Sequence, residues 1–459
     1  MIDVPGLVPA LAQWLPRQRW YAGQVEPASL TVLDQEIRGD EFPVLVRLLV
    51  EADGVDYQVL VGVRGRDEHP EFLRGHDQAL IADIATTRGD AVAYDAVYDP
   101  ELALVILEAV APHEDVERAR LMGAEQSNSS IVFDERIILK LFRRVQRGHN
   151  PEVEVTQALT KQGFNCVAEP LATYRKGDFD LAILQPFLAG AVEGWALALT
   201  SLRDLFGMHD TSSIPIITPD APPPPMDPGQ AGGDFSGEAA RLGAMTGAMH
   251  VALADAFGRH PAHPGTWAAS IAAEIEAVHP SELDVRNAHA ILDELADIDA
   301  GAAIRVHGDY HLGQVLRTDA GWFVLDFEGE PARPIEERRR PTSPLKDVAG
   351  MLRSFHYASA VARTERDEGA LEGLAAAWEE RNRKAFLRGY MSAAGDGGIL
   401  PPDPDCVALV LAAFELEKAV YELGYEKAFR PDWVHIPLAA LNRLTAGRPT
   451  ESPPTERQP

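Results

Sequence analysis

Two apolar runs near the start of the chain, FPVLVRLLVEA (residues 42–52) and VDYQVLVGVRG (55–65), are dense in Val and Leu and separated by turn residues. That composition and spacing predict a pair of strands. With the amphipathic segment and Trp20-Tyr21 ahead of them, they define a small, largely β unit over residues 1–95. ELALVILEAV (101–110) reads as a further strand. IVF and IILKLF, on either side of a turn at Asp134-Glu135-Arg136, predict another strand pair. NPEVEVTQALTKQG then has helical periodicity, with Asn150 placed as its N-cap and Pro151 at its first position. DLAILQPFLAG (180–190) reads as an edge strand running into a hinge.

Beyond residue 190 the pattern turns helical, as in SGEAARLGAMTGAMHVALADAF (236–257). Four consecutive prolines exclude helix from the stretch 214–233 and predict an exposed loop there. The tail after Gly447 reads as unstructured. The pattern thus divides the chain into 1–95, 96–189 and 190–459.

Composition narrows the function classes. Hydrophobic residues make up 46% and charged residues 24% of 459 positions, as in a folded protein of two or three domains. The formal net charge of -28 argues against a nucleic-acid partner and requires any nucleotide site to be locally positive. Two cysteines form no disulfide or zinc pattern. The N-terminus lacks a secretory pattern, and no apolar stretch approaches the ~20 residues that span a bilayer, so a cytoplasmic location is expected.

The densest chemistry lies in VHGDYHLGQVLRTDAGWFVLDFEGEPARP (306–334). It reads as a polar loop, a hairpin and a second polar loop. The first loop holds His307, Asp309, His311 and Gln314; the second holds Asp326, Glu328 and Glu330. The hairpin brings Asp309 and Asp326 to the same end of neighbouring strands. Phosphoryl transfer needs this: one carboxylate orients the attacking hydroxyl and accepts its proton, and another holds magnesium on the phosphates. Magnesium is hard and prefers oxygen, which suits Gln314 and Asp326 better than the histidines.

A second cluster is AEQSNSSIVFDERIILKLFRR (124–144). Ser127, Asn128, Ser129 and Ser130 stand where a phosphate-covering loop usually carries glycines. Their hydroxyl and amide groups can add hydrogen bonds to phosphate oxygens. Lys140, inside an apolar strand, needs a partner for its charge. Glu154 in the following helix is the first candidate and Glu152 the alternative. Arg143, Arg144 and Arg147 supply local positive charge or are simply surface residues. Near the C-terminus, Lys418, Tyr421, Glu422 and Tyr425 share one helical face. Such a face suits a sugar, or it is an ordinary helix whose tyrosines pack in the core. In SPLKDVAGMLRSFHYASA (343–360), Asp347 and Arg353 are expected to pair, with Tyr357 facing the same cleft.

HGDYHLGQ followed by LDFEGEP resembles the catalytic and metal-binding loops of aminoglycoside-phosphotransferase-like kinases. The resemblance implies an α+β, bilobal protein-kinase-like fold: a β-rich cap domain at 1–95, a kinase N-lobe at 96–189, and a mostly helical C-lobe at 190–459. It implies Asp309 as catalytic base, Gln314 and Asp326 as Mg2+ ligands with Glu328 a further candidate, and His307 as a brace for the loop. WLPRQRWYAG, AEQSNSS with ILKLFRR, EGWALALTSLRDLF, DFEGEPARPIEERRRPTSPLKDVAGMLRSF and EKAVYELGYEKAFRPDWVHIPL extend the match along nearly the whole chain. They resemble the actinobacterial maltokinases, which phosphorylate maltose with ATP at the anomeric hydroxyl, giving maltose 1-phosphate for α-glucan (glycogen) synthesis. By that resemblance His311, Tyr357, Lys418, Tyr421, Glu422 and Tyr425 bind the sugar, and trehalose synthase is a partner. His356 replaces an expected acidic residue and Tyr310 an expected leucine, either of which could retune the sugar pocket. Alternatives are a kinase for another sugar or aminosugar such as glucosamine, an aminoglycoside phosphotransferase, and a non-catalytic kinase-like binding protein.

Overall fold

A computed structural model describes the chain except residues 1, 24, 69–70, 124–126, 213–228, 230–233, 279–284, 331–332, 365–370 and 447–459. Part of AEQSNSS, nearly all of the proline-rich stretch and the C-terminal tail therefore lie outside the described residues. The chain divides into two compact units: Met1–Gln157 with Ala168–Gly190, and Ala158–Val167 with Ala191–Pro459.

The first unit holds two antiparallel sheets. In one, Val44–Ala52 and Val55–Gly65 pair as the sequence predicts, with Leu30–Arg38, Gly89–Asp95 and Leu80–Thr86 completing the path and Arg144–Val145 added beside Val55–Gly65. One face of this sheet packs on the helix Val4–Trp14, whose Leu7, Leu11 and Trp14 are buried. The second sheet contains Asn128–Phe133 and Ile137–Phe142. Its Ile131, Leu139 and Leu141 share a core with Leu45 and Leu60 of the first sheet. The first unit takes in residues 1–95 together with most of 96–189.

Two elements differ from expectation. ELALVILEAV is not a strand but the helix Pro100–Val110. Asp99 accepts hydrogen bonds from the Glu101 and Leu102 amides, Pro100 takes the first turn, and the buried positions 102, 103, 106 and 107 have helical spacing. A continuous apolar run fits either structure, and here the Asp-Pro start decides it. Phe179–Pro186 is not an edge strand: it lies between Ala172–Lys176 and Ile137–Phe142. The edge is the more polar ATYRK.

The second unit is mainly helical. Ser236–Phe257 and Glu372–Ala394 pack with glycine at the contact, where a Cβ on Gly243 would collide with the Phe386 carbonyl and one on Gly389 with the Ala240 carbonyl. Leu345–Thr364 and the 26-residue helix Pro404–Phe429 pack beside them. A short hairpin, Val315–Thr318 with Gly321–Val324, carries the two acidic loops at its open end. Among the described residues, no helix is long and apolar enough to cross a membrane.

Candidate active site

In the first unit the expected helix forms over Pro151–Lys161, and the Asn150 carboxamide oxygen accepts from the Glu152 amide at 2.8 Å. Ser130 lies directly opposite Lys140 across the strand pair, so both side chains share a face. Glu152 lies beside Lys140, with Nζ–Oε2 3.7 Å. Glu154, the first candidate, sits two residues further along the same helix. Ser129 turns to the other face, where its hydroxyl accepts from Arg143 Nε at 2.8 Å. Arg143 is not a surface charge: it is fully buried, forms two bonds to Asp95 at 2.9 and 2.7 Å, and lies over the Trp20 ring.

In the second unit the two loops are locked together by main-chain and side-chain bonds. The Leu325 amide donates to the Gln314 carbonyl at 2.9 Å, which extends the hairpin ladder and sets Gln314 opposite Leu325, the residue before Asp326. Asp326 has φ +60°, a left-handed conformation that costs a non-glycine residue energy and is retained where the surroundings enforce it. His307 Nε2 lies 2.8 Å from the Leu325 carbonyl, and its Nδ1 accepts from the Asp309 amide at 3.3 Å. This pattern requires the proton on Nε2. The ring sits between Tyr310 and Phe327.

Asp347 anchors the first loop from behind. Its carboxylate accepts from the His307 amide at 2.7 Å and the Gly308 amide at 2.9 Å, and lies 3.1 Å from His250 Nε2. Burial pushes this carboxyl up, but His250 and the amide bonds outweigh it and hold its pKa below the ordinary range. The expected Asp347–Arg353 pair does not form. Arg353 instead binds Glu422, with Nη2–Oε2 2.6 Å. Asp347 is already saturated by the loop and His250. His250 was not singled out from the sequence, because it sits in an alanine-rich helix 97 positions from its partner.

Asp309 faces a cationic neighbour. Lys418 Nζ lies 3.2 Å from Asp309 and 3.3 Å from Glu330, and His311 Nε2 is 4.0 Å from Asp309. Burial raises the Asp309 pKa, but Lys418 above all, with the two histidines, brings it below the usual carboxylate value. Burial and Lys418 hold His311 below its ordinary value, opposed by Asp309. Glu330 also binds Arg333, and Glu417 binds Lys346 at 2.7 Å. The chain thus brings Asp309, Lys418 and Tyr421 around one small cavity. Tyr421 lies under Lys418 and is 37% exposed, and Tyr425 is 41% exposed. Tyr357 donates to Glu426 at 3.2 Å. His356 faces away from this cavity, toward Glu379 at 2.9 Å. Burial pushes Glu379 up, but His356 and Arg443 pull it down to about 2. Tyr310 is buried, its hydroxyl 2.8 Å from Thr246.

Residues 14–99 match the maltokinase N-terminal cap domain, and residues 225–390 match the phosphotransferase enzyme family. A glucosamine kinase of Streptacidiphilus jiangxiensis is 29% identical over 365 residues, covering 75% of this chain and 78% of the relative. A glucosamine kinase of Mycolicibacterium smegmatis is 26% identical over 345 residues, 71% and 79% of the two chains. A solved glucosamine kinase in complex with glucosamine, ADP and inorganic phosphate has 22% identity and a TM-score of 0.63, covering 96% of this chain and 99% of that one. At that identity the likeness establishes the fold. The chain thus carries a match to the phosphotransferase enzyme family over residues 225–390 and, ahead of it, a match to the N-terminal cap domain of the maltokinases over residues 14–99.

Proposed function

We propose that the protein transfers the γ-phosphate of ATP to a sugar, with maltose as acceptor at its anomeric hydroxyl, giving maltose 1-phosphate and ADP. The observation that carries this reading is Asp309: an ionised carboxylate on a loop pinned by Asp347 and held beside Lys418. Asp309 orients the acceptor hydroxyl and takes its proton as the bond to phosphorus forms. Lys418 keeps that carboxylate ionised and fixes its direction. Ser127, Asn128, Ser130 and the main chain of Ser129 bind phosphate oxygens, with Lys140 held for the same purpose by the glutamates of its helix, Glu152 and Glu154. The donor set fits a hard cation, because Gln314 and Asp326 bring oxygen atoms to one end of the hairpin and Glu328 follows two residues later. Bound there, Mg2+ would neutralise phosphate charge. His311, Tyr357, Tyr421, Glu422 and Tyr425 line the acceptor side in this reading.

Maltose is favoured by three features. The cap domain is of the maltokinase type. The carboxylates around Asp309 are also committed: Glu330 and Glu417 to Arg333 and the lysines, and Glu422 to Arg353. An ammonium group would meet Lys418 rather than an open acid. Exposed Tyr421 and Tyr425, one helical turn apart, offer ring faces to a disaccharide. An assembly with trehalose synthase belongs to the same reading. The second reading is a glucosamine kinase, favoured by the relatives of that name. Comparing kcat/KM for the two sugars separates them: the higher value is expected for maltose, and a higher value for glucosamine replaces the first reading with the second. Tyr421→Ala should raise KM for maltose about tenfold, the loss of one aromatic contact, and leave KM for ATP unchanged. An unaltered maltose KM would remove Tyr421 from the acceptor site.

The acid limb of activity reports the Lys418–Asp309 pair. With its pKa lowered, Asp309 stays ionised until the pH falls below the usual carboxylate range. Lys418→Met removes the pull and leaves burial, so the pKa rises. The acid limb of kcat/KM is expected to move to higher pH. A limb that stays in place would mean that Asp309 does not govern it.

A further inference from the structure

The PRQRW motif (16–20) has no part in the chemistry above, yet it builds a wall of a cavity of about 810 Å³ in the first unit. That volume is in the range of small-ligand sites. Arg17 and Arg19 both line it. Arg17 donates to the Leu80 carbonyl at 3.0 Å, and among the described residues neither guanidinium has a carboxylate partner. This is notable in a chain with 70 acidic against 42 basic residues. Two such groups on one wall are suited to a phosphate, which guanidinium binds with paired hydrogen bonds. Among the described lining residues the one carboxylate is Asp95, already bound twice by Arg143. The remaining lining mixes the amides of Gln18, Gln78 and Asn128 and the Ser129 hydroxyl with apolar and aromatic side chains, His76 and Tyr98 among them with rings 5.0 Å apart at 46°; Asn128 and Ser129 belong also to the strand assigned above to the ATP phosphates. Trp20 meets Tyr57 at 47°. The two hydroxyls of the described lining, on Ser129 and Tyr98, accept from Arg143 and Gln78 within the fold and keep their protons to donate to a sugar or phosphate oxygen.

We propose that this cavity is a binding site for a sugar phosphate, distinct from the catalytic loops. Ser129 and Asp95, both at the cavity, are held by one buried arginine, Arg143. Occupancy therefore bears on the strand Asn128–Phe133; only that effect on turnover rests on the function proposed above.

Calorimetric titration of the full chain with glucose 1-phosphate, with maltose and a non-hydrolysable ATP analogue saturating, tests binding without turnover. Binding is expected, with little heat from glucose or AMP. Arg19→Ala and Arg17→Ala should each weaken it about tenfold, the effect of one charged hydrogen-bonding group. Among the described residues Arg19 makes no hydrogen bond or ion pair, so its variant remains informative if the Arg17 one misfolds. Hydrogen exchange should slow at residues 17–20 and 76–79 on binding. Absent binding, unaltered affinity in Arg19→Ala, equal binding of AMP, or protection confined to residues 309–314 would each overturn the proposal and leave the kinase reading untouched.

Discussion

Replacing Asp309 by Asn is expected to lower kcat by about three orders of magnitude, the usual effect of losing a positioned general base. Nucleotide affinity should be unchanged, because the groups assigned to phosphate lie elsewhere. The fold should persist as well: Lys418 keeps Glu330 at 3.3 Å, and the Asp309 amide still donates to His307. Stopped-time assays of ADP formation, with ATP binding followed by calorimetry, provide the check. A variant with kcat within tenfold of the parent would remove Asp309 from its role and with it the mechanism.

Asp347→Ala is expected to have the largest effect on stability. The wild-type carboxylate is 2% exposed and satisfies two loop amides and His250. Its removal strands all three donors in a dry interior, at a cost of about 3–5 kcal/mol, typical of a broken buried charged contact. The sign with pH follows from the lowered pKa. The carboxylate contributes stability at neutral pH, and that contribution is lost as pH falls through the folded-state value. Denaturant unfolding should therefore show a large gap between the two proteins at pH 7 that narrows in acid. Asp347→Asn retains the shape and one acceptor, so a smaller loss is expected. Equal unfolding midpoints at pH 7 would show that the loop is held by other contacts.

The legibility of the sequence varied with the distance between interacting residues. The hairpin and the two loops at its open end were readable because their determinants, from His307 to Glu330, are close together in the chain. The Asn150 cap and the strand pair around Lys140 were readable for the same reason: the determinants are local. Contacts between distant segments were not. Asp347 was given to Arg353, six residues away on the same helix, whereas its partners are His307, Gly308 and His250. Arg143 was grouped with surface arginines because its partner, Asp95, is 48 positions upstream. The alternation of Ser129 and Ser130 across the sheet could have been read from strand period two. It sends Ser129 toward Arg143 and Ser130 toward Lys140. The helix Pro100–Val110 was misread because apolar continuity was weighted above Asp99-Pro100, the stronger local cue.

The pocket chemistry was only half legible. Lys418, Tyr421, Glu422 and Tyr425 do share a helix, but their engagements differ. Lys418 turns to Asp309 and Glu422 to Arg353, while the two tyrosines are partly exposed. Helical spacing places side chains on a face, but the partners on the next helix decide which of them remain available to a ligand.

The most direct test of the central claim is phosphorus NMR of the product formed from ATP, Mg2+ and maltose. The account predicts one new phosphomonoester signal, coupled to the anomeric proton of the reducing glucose and appearing with equimolar ADP, and its loss in Asp309→Asn. ATP consumption with only inorganic phosphate appearing, or a phosphomonoester on another hydroxyl, would contradict it.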